Sequence, residues 1–510
     1  MSLEDSFKTL FKGAGFVFFG LIISKILGYA YRLIVARLGP EEYGLLSLGL
    51  AITGVLTTIS LFGLDAGVLR YVANFRASNE NEKIRGSILS GIKLSTYFSL
   101  LIAFLLFILS DYIALQFFHE PRLSTIIKIL AITIPFDNVR TIIVSALRGF
   151  ERAEYDIYSR AITENIVKVI ATLILVYLSY GIFGATIAVP ISLISSFFLA
   201  FYFIEKKVFP IIKSKIANIE IKKELLIYSW PLLFNNLIII LLTWVDTLIL
   251  GNLRTASDVG IYNAITPTSK LILIFPQALA ILFLPIATRV YKASKEDLDS
   301  FYNTTFKLIF MINSVFLIMF ILFSKQVMHI LFGEAYISGS LGLIFLTAGF
   351  FIHGFMYNSR DLLLMVKKTK TILLITSISM VLNVILNIIL IKSYGVLGAA
   401  LASGISYALM SAAIIIVSGK ISKVDIFNIN YLKIILSLLV SLGIVYWIIR
   451  LLPERNIYVL LFASILFIII YIYLLIKTKS LNKKDVVVLK AINQNIPLRI
   501  FDGVIEKIED

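Results

Sequence analysis

The sequence predicts an all-α integral membrane protein with about fourteen transmembrane helices. Its 510 residues are 59% hydrophobic and 15% charged, which leaves too few polar groups to cover the surface of a soluble protein. Apolar runs of about twenty residues, long enough to cross a bilayer as a helix, recur along the whole chain. The 47 lysines and arginines lie mainly in short segments between these runs, as they do in membrane proteins.

Each predicted span is an apolar run bounded by charged residues, glycine or proline. The limits are 15–37, 43–69, 87–109, 123–146, 158–179, 182–204, 225–250, 259–288, 302–323, 337–365, 370–391, 396–418, 431–451 and 456–476. With the N-terminus inside and these limits, the inner segments hold 28 of the 47 cations, the outer loops hold 5 and the spans hold 14. Because positively charged loops stay on the inner side, we expect both termini to be cytosolic, in the cytoplasmic membrane.

The chain also contains an internal repeat. The segment Ser110–Phe118 lies 214 residues before Ser324–Phe332, which begins and ends with the same residues, and the pair Tyr180–Gly181 lies the same 214 residues before Tyr394–Gly395. One register shared over several helices is hard to obtain from apolar composition alone. Because each repeat holds six spans, the two repeats have the same topology and are predicted to lie in parallel around a central cavity.

The repeat divides the chain into six predicted parts. They are an N-terminal interfacial helix at 1–14, a first six-helix lobe at 15–204, a cytosolic connector at 205–224, a second six-helix lobe at 225–418, helices thirteen and fourteen at 419–476, and a cytosolic tail at 477–510. The interfacial helix is predicted because its leucines and phenylalanines recur at helical spacing with lysines between them.

Several classes of function are excluded by composition and motif. The net charge of +16 would suit nucleic-acid binding, but its lysines and arginines lie in the segments between spans, so we predict no nucleic-acid partner. The chain has no cysteine, which excludes disulfides, thiol catalysis and cysteine metal sites. It has no Walker A sequence and no cluster with zinc spacing. We therefore predict a protein that is not an enzyme and needs no cofactor or metal.

Ionisable side chains within the predicted spans are the candidate functional residues, since a charge at bilayer depth is costly without a partner or a function. The first six spans carry a surplus of cations, which suits the binding of a phosphate or diphosphate group. The predicted cationic cavity comprises Lys25, Arg32, Lys93, Arg140, Lys168 and Lys270. The predicted coupling or gating residues are Asp65, Arg70, Asp137, Glu164 and Asp246.

Local pairing is the alternative for several of these residues. Asp137 precedes Arg140 by three positions and Glu164 precedes Lys168 by four, so each acid is placed to neutralise its neighbour on a helix. The sequence leaves pairing and cavity roles equally open for these four. Lys93, near the inner end of its span, is placed to extend to the interface instead.

The first span contains the strongest candidates. Lys25, Tyr29 and Arg32 are spaced i, i+4 and i+7, which puts them on one stripe of a helix that ends at Gly39-Pro40. Lys25 and Arg32 have no acid nearby in sequence, so we favour a cavity role for both. Arginine suits anion binding at depth, because its guanidinium stays charged and binds phosphate through two N–H groups.

Three segments carry a family resemblance. They are SKILGYAYRLIVARLGPEEYGLLSLG at 24–49, FGLDAGVLRYVA at Phe62–Ala73 and ALRGFERAEYDIYSR at Ala146–Arg160. Together with the number of spans they resemble the Wzx-type polysaccharide flippases of the MOP superfamily. The resemblance implies two six-helix lobes around a cavity, alternating access, and a lipid-linked oligosaccharide as cargo.

The resemblance also implies partners. They are a polyprenyl-phosphate- or pyrophosphate-linked oligosaccharide moved from the inner to the outer leaflet, membrane lipids, a proton or sodium gradient, and polysaccharide-synthesis enzymes.

One rival function is a multidrug or cation antiporter of the same superfamily, for which the surplus cations of the first half are a poor match. A second rival is a membrane glycosyltransferase or polymerase. It would need catalytic acids in a large loop, and no predicted loop exceeds about twenty residues.

Overall fold

A computed structural model describes residues 22–212, 216–422, 429–450, 457–478 and 480. All regular secondary structure in these residues is helical. The predicted interfacial helix at 1–14 and nearly all of the predicted tail at 477–510 lie outside the described residues.

The helices are labelled α1 to α18 in chain order. They are α1 (22–36), α2 (Pro40–Leu61), α3 (Leu64–Ala77), α4 (Asn81–Tyr112), α5 (Pro121–Ala131), α6 (Thr133–Gly149), α7 (Glu154–Asp156), α8 (Glu164–Tyr177), α9 (Gly181–Phe203), α10 (Lys222–Leu253), α11 (Ala256–Ser269), α12 (Ile274–Ala293), α13 (Lys295–Phe332), α14 (Ser340–Gly354), α15 (Met356–Met365), α16 (Thr369–Ser418), α17 (Ile429–Arg450) and α18 (Ile457–Lys477). Short π-helical turns at Ile113–Phe117, Ile157–Thr163 and Ile204–Val208 extend α4, α7 and α9.

Ten helical segments of the described residues are long and apolar enough to cross a membrane, and Phe462–Lys477 is a shorter apolar helix. The chain is therefore a multi-pass all-α membrane protein. Each predicted span overlaps helix, but two of the fourteen share one of these ten segments, and the predicted spans at 15–37, 158–179 and 456–476 are not among the ten. The predicted spans 370–391 and 396–418 both lie in α16, which bends at Gly395 (φ 54°, ψ −125°). Fourteen crossings therefore stays a prediction.

Two predicted spans are interrupted. The span at 43–69 breaks between α2 and α3, where Phe62 and Gly63 have φ values of 55° and 71°. The span at 123–146 breaks at Ile132, between α5 and α6. Pro135, in the first turn of α6, has no N–H to donate to the preceding turn, which weakens the helix at this point.

The predicted repeat is visible in the backbone. Gly181 and Gly395, which the repeat offset places at matched positions, have nearly the same left-handed φ of 53° and 54°. Glu151 and Lys367, separated by nearly the same interval, both have a φ of 60°. A left-handed conformation is unfavourable for residues with a side chain, so its presence at matched positions marks the same chain reversal in both halves.

The described residues divide into two compact units, a first unit ending at Asn263 and a second beginning at Ala264. The first unit has a core formed by α3, α4, α6 and α9, with Leu64, Ile88 and Ala146 among its fully buried side chains. It also includes α10, which packs against α2 and α3 although the sequence places it in the second repeat. The lobe limits at 15–204 and 225–418 stay predictions.

The second unit has an aromatic core. Phe306 stacks on Phe355 with a centroid separation of 4.3 Å, and Tyr302 packs edge-on against Phe306. The helices α17 and α18, which follow the repeat, pack against each other and against α13 of this unit.

The connector after α9 is fastened to α4 of the first unit. The guanidinium of Arg85 donates to the carbonyl oxygens of Ile211, over 2.8 Å, and Ile216. The backbone N–H of Ile221 donates to Ser90 Oγ over 3.3 Å. These bonds fix the described part of the connector to one helix at several points.

Candidate functional site

The stripe predicted on α1 contains two cations, Lys25 and Arg32, and neither is paired with an acid in the ranges that the structure describes. Arg32 is half-buried, and its Nη1 donates to the hydroxyl of Tyr43 over 3.2 Å. Lys25 is exposed. Neither Lys25 nor Arg32 takes part in an ion pair among the described residues. The stripe therefore presents two positive charges that no described carboxylate neutralises.

The segment after α1 reverses the chain as its sequence predicts. Gly39 has a φ of 122°, and Pro40 is the first residue of α2, where its missing N–H leaves no helical bond unmade. Glu41 and Glu42 lie in the first turn of α2, where the partial positive charge of the helix end stabilises them. This reversal brings Tyr43 back to Arg32.

The first turns of α2 and α11 cross in the first unit at two glycines. A side chain at Gly44 would overlap the carbonyl oxygen of Ala256, and a side chain at Gly260 would overlap that of Pro40. The interval from Gly44 to Gly260 equals that from Pro40 to Ala256 and is close to the repeat offset, so the crossing joins equivalent points of the two repeats. Only glycine allows two backbones to approach this closely.

A buried tyrosine lies close to each of these glycines in the sequence. Tyr43 is 2% exposed, and its hydroxyl donates to the carbonyl oxygen of Asn263 over 3.0 Å. On α10, Asp246 is 4% exposed and its Oδ2 accepts from the hydroxyl of Tyr262 over 2.6 Å. Tyr43, on the second helix of the first repeat, thus binds a carbonyl oxygen of α11. Tyr262, on the second helix of the second repeat, binds a carboxylate of α10.

A buried ion-pair network lies elsewhere in the first unit. Arg140 is 3% exposed; its Nη2 contacts Asp137 Oδ1 at 2.6 Å, and its Nη1 binds the carboxylate of Glu164 and donates to Ser196 Oγ over 2.9 Å. Lys168 contacts the other oxygen of Glu164 at 3.1 Å. Two cations and two anions leave the network with no net charge. The pairing alternative is thus what the structure shows for these four residues, and their cavity and coupling roles stay predictions.

Lys93 lies at the connector. Its Nζ is 2.6 Å from Glu220 Oε1, and Lys222 contacts the other oxygen of the same carboxylate at 2.8 Å. The ammonium groups of Lys222 and Lys93 lower the pKa of Glu220 to about 2. Because Lys93 is exposed and paired here, the structure gives less support to its predicted cavity role than to that of Arg32.

The other three candidates have different surroundings. Asp65, in the first turn of α3, has a buried Oδ1 with no hydrogen-bond partner in the described part of the chain. Arg70 is exposed and lies over the ring of Tyr228, 4.3 Å from its centroid, and no ion pair between these described residues joins it to Asp65. Lys270 is in the second unit, with its Nζ 5.8 Å from the ring centroid of Phe350.

Sequence reasoning missed the tyrosines. Tyr43 is eleven residues from Arg32, and Tyr262 is sixteen from Asp246, so no helical spacing relates them. The available signal was the repeat itself, because each tyrosine lies close in sequence to a glycine at a matched position. In chemical terms the α1 stripe can bind an anion, since a guanidinium with a replaceable hydroxyl acceptor has donors for phosphate.

Comparison with known proteins relates this chain to a family of membrane proteins. The model of the polysaccharide biosynthesis protein family matches residues 10–289, more than half of the chain, and the MatE model matches 231–389. A putative O-antigen transporter of Shigella flexneri is 25% identical over 77% of this chain and 94% of its own length. The probable low-salt glycan biosynthesis flippase Agl15 of Haloferax volcanii is 30% identical over 32% of this chain and 35% of its own.

Solved structures share the fold along most of the chain. The lipid II flippase MurJ, in an inward closed conformation, has a TM-score of 0.75 at 18% identity and covers 90% of this chain and 97% of its own. An inward-facing multidrug resistance MATE transporter of the MOP superfamily has a TM-score of 0.69 at 15% identity, over 78% of this chain and 94% of its own. The family match shows that the protein belongs to the polysaccharide biosynthesis protein family, and the solved structures show that it has the fold of the MATE transporter and of MurJ.

Proposed function

We propose that this protein is a flippase that moves a lipid-linked oligosaccharide from the cytosolic to the outer leaflet of the cytoplasmic membrane by alternating access. The observation that carries the proposal is the α1 stripe, where Lys25 and Arg32 have no carboxylate partner among the described residues. The buried network of Arg140 neutralises its own charges, so the surplus of positive charge lies on α1.

The chemistry of the cargo fits this surplus. A lipid-linked oligosaccharide joins an apolar polyprenyl chain to a sugar through a phosphate or diphosphate, and that anion is the part that most resists crossing a bilayer. A guanidinium binds phosphate through two parallel N–H groups, and a lysine ammonium adds a second charge. We assign the first phosphate contact to Arg32 and a supporting role to Lys25, two turns away on the same face.

The relatives support a carbohydrate-bearing cargo. Their names include an O-antigen transporter and a glycan biosynthesis flippase, and the protein of known structure with the higher TM-score quoted above is a lipid II flippase. Synthesis enzymes that make and use such a lipid would then be functional partners.

Asp246 is the candidate for coupling transport to a proton or sodium gradient, since it is a buried acid on a spanning helix.

A multidrug or cation antiporter is the second candidate function. It is favoured by the MatE match over 231–389 and by the shared fold of the MATE transporter. An organic cation would be repelled by the unneutralised charges of α1, whereas an anionic lipid would be attracted. The charge of the cargo therefore distinguishes the two functions.

Reconstitution tests the proposal directly. The purified protein is placed in liposomes with fluorescent polyprenyl-diphosphate-linked saccharides, and translocation is followed by the loss of fluorescence to an impermeant quencher. We expect translocation above that of protein-free liposomes, and a proton or sodium gradient is applied in parallel to find the coupling ion. Export of an ethidium-type cation with no movement of any lipid-linked saccharide would establish the antiporter instead.

A further inference from the structure

The hydroxyl of Tyr43 makes two hydrogen bonds with different consequences. It accepts from Arg32 Nη1 over 3.2 Å and donates to the carbonyl oxygen of Asn263 over 3.0 Å. In such a chain each bond polarises the next, so the charged donor on one side strengthens the bond on the other. Arg32 thereby reinforces a contact that joins α2 to α11.

That contact lies at the glycine crossing. Gly44 and Gly260 bring the backbones of α2 and α11 together, and glycine supplies no side chain to hold them there. Hydrogen bonds of polar groups beside the crossing hold the helices in place instead. Besides the bond from Tyr43, Asn263 Nδ2 donates to Thr247 Oγ1 of α10 over 3.1 Å. The bond from Tyr43 to Asn263 thus joins α2 to α11, and the bond from Asn263 to Thr247 joins α11 to α10.

A phosphate competes with Tyr43 for the same guanidinium. A phosphate oxygen carries a negative charge and a tyrosine hydroxyl does not, so the arginine cation binds the phosphate more strongly. The guanidinium is planar and its five N–H groups have fixed directions, so a phosphate bound through the edge that includes Nη1 takes the place of the tyrosine hydroxyl, and our proposal assigns the phosphate to this edge. Cargo bound at Arg32 is then favoured at the expense of the Arg32–Tyr43 bond.

We propose that Tyr43 is a cargo-sensitive latch: the phosphate of the cargo takes Arg32 from Tyr43 and thereby loosens the α2–α11 crossing. The inference rests on the proposed function, because it takes the anion site at Arg32 as given. In this proposal Tyr43 is a positioning residue that does not contact the cargo. Its two hydrogen bonds connect the anion site at Arg32 to the packing of α2 against α11. Because coupling between two equilibria is reciprocal, a looser crossing must also strengthen cargo binding.

The latch makes a prediction opposite to that of a structural tyrosine. If Tyr43 merely held Arg32 in place for the cargo, Tyr43→Phe would weaken binding. If Tyr43 competes with the cargo, removing its hydroxyl frees Arg32, and binding becomes about threefold to tenfold tighter, the equivalent of one typical hydrogen bond. Tyr31, the neighbour of Arg32 in the chain, provides a matched control, since it is also buried and its hydroxyl donates to the carbonyl oxygen of Ala185 instead of that of Asn263.

The binding experiment uses the full-length protein in phosphatidylcholine nanodiscs. Farnesyl diphosphate is the charged probe and farnesol its uncharged counterpart, and affinities are measured by calorimetry. We expect Tyr43→Phe to tighten farnesyl diphosphate binding and leave farnesol binding unchanged, with Tyr31→Phe equal to the unmodified protein for both. Binding of farnesyl diphosphate by Tyr43→Phe that is weaker or unchanged would overturn the latch.

The Arg32→Gln variant separates the latch from the proposed function. If it binds farnesyl diphosphate as tightly as the unmodified protein, the anion site at Arg32 is wrong and the latch falls with it. If it loses binding while Tyr43→Phe gains none, the site stands and only the latch fails.

A second measurement keeps Tyr43 in place and so does not depend on the folding of that variant. Ala256, whose carbonyl oxygen packs on Gly44, is 2% exposed, and the chain has no native cysteine. Farnesyl diphosphate should increase the rate at which maleimide labels Ala256→Cys. The rate for the exposed neighbour Thr255→Cys should not change. Equal rates for Ala256→Cys with and without the probe would contradict release of the crossing.

Discussion

Arg140 and Arg32 are both arginines of the first unit that lie within spans, and their surroundings differ. Arg140 is almost fully buried between the carboxylates of Asp137 and Glu164. Arg32 is half-buried and donates to a neutral hydroxyl. A guanidinium held by two carboxylates has little to gain from an anionic ligand, whereas one bound to a hydroxyl gains a stronger acceptor. The difference explains why we assign cargo binding to Arg32 and a structural role to Arg140.

Substitution of Arg32 should reduce transport in graded steps. A buried charge-assisted hydrogen bond is worth about 1.5–3 kcal/mol, so its loss corresponds to roughly tenfold to a hundredfold in productive binding. Arg32→Ala should show this full loss, and Arg32→Lys part of it, because lysine cannot form the paired contact. The measurement is the initial rate of lipid-linked saccharide translocation in liposomes at matched protein content.

The control for this series is the repeat-equivalent acid. The repeat offset carries Arg32 onto Asp246, and a structural ion pair between them would also fail when Arg32 is removed. If Asp246→Asn restores transport to an Arg32→Gln protein, the two residues act as a pair and the phosphate role is wrong.

Substitution of Arg140 should act on stability instead. Arg140→Gln leaves Asp137 and Glu164 without their shared cation inside the first unit, and breaking a buried ion pair in this way costs about 3–5 kcal/mol. Thermal unfolding in detergent measures the loss. Arg76→Gln breaks an exposed pair with Glu151 and should cost about 1 kcal/mol or less. A double variant that also carries Glu164→Gln should recover part of the stability lost by Arg140→Gln, and no recovery would argue against the network.

At the scale of single residues, the sequence predicts contacts along one helix and misses those between helices. The pairs Asp137–Arg140 and Glu164–Lys168 follow from helical spacing. The Arg140–Glu164 contact spans 24 positions, and the Lys93–Glu220 contact spans 127. Such pairs depend on how helices pack, which spacing within one helix does not specify.

At the scale of elements, glycines at matched turns are under backbone constraint. Gly181 begins α9 with a φ of 53°, and no atom lies within 4 Å of where its Cβ would be. Gly181→Ala should therefore destabilise the protein by about 1–2 kcal/mol through the backbone alone. Gly443 of α17 is equally open but has no left-handed φ, so Gly443→Ala should be neutral or stabilising.

The asparagine variant completes this test. Asparagine tolerates the left-handed conformation better than alanine does, so Gly181→Asn should retain more stability than Gly181→Ala. Thermal unfolding in detergent ranks the variants. Equal losses for Gly181→Ala and Gly181→Asn would indicate that contacts, rather than φ, set the cost.

The same scale shows which helix limits a sequence can predict. The Gly39-Pro40 reversal was predictable because both residues are strong signals. The break at Phe62-Gly63 was not, because an apolar run continues through it and Phe62 is a residue that rarely adopts a positive φ. The packing of α10 against α2 and α3 does not follow from the repeat, since repeat symmetry groups helices by sequence whereas packing groups them by contact, and the lobe limits stay predictions.

At the scale of the whole molecule, the repeats share a backbone plan but differ in charge. In the first repeat a cation of its first helix, Arg32, donates to Tyr43 of the next helix. In the second, the equivalent acid Asp246 accepts from Tyr262 of its next helix. The two repeats thus share left-handed turns and carry opposite charges at one matched position. This difference in charge is what the proposed function requires, in which Arg32 binds an anionic cargo and Asp246 a coupling cation.

The orientation of the molecule in the membrane is the last prediction. The surplus of lysine and arginine in alternate loops predicts cytosolic termini, and an even number of crossings puts both on the same side. Thr255 is exposed between α10 and α11, in a loop predicted to be outside, and Ser214 is in the lysine-rich connector, beyond the described residues.

The chain has no native cysteine, so single cysteines at these positions report without background. An impermeant maleimide added to intact cells should label Thr255→Cys and not Ser214→Cys, and opening the cells should expose Ser214→Cys. Labelling of Ser214→Cys in intact cells would reverse the orientation, and the direction of transport proposed for the cargo would have to be reversed with it.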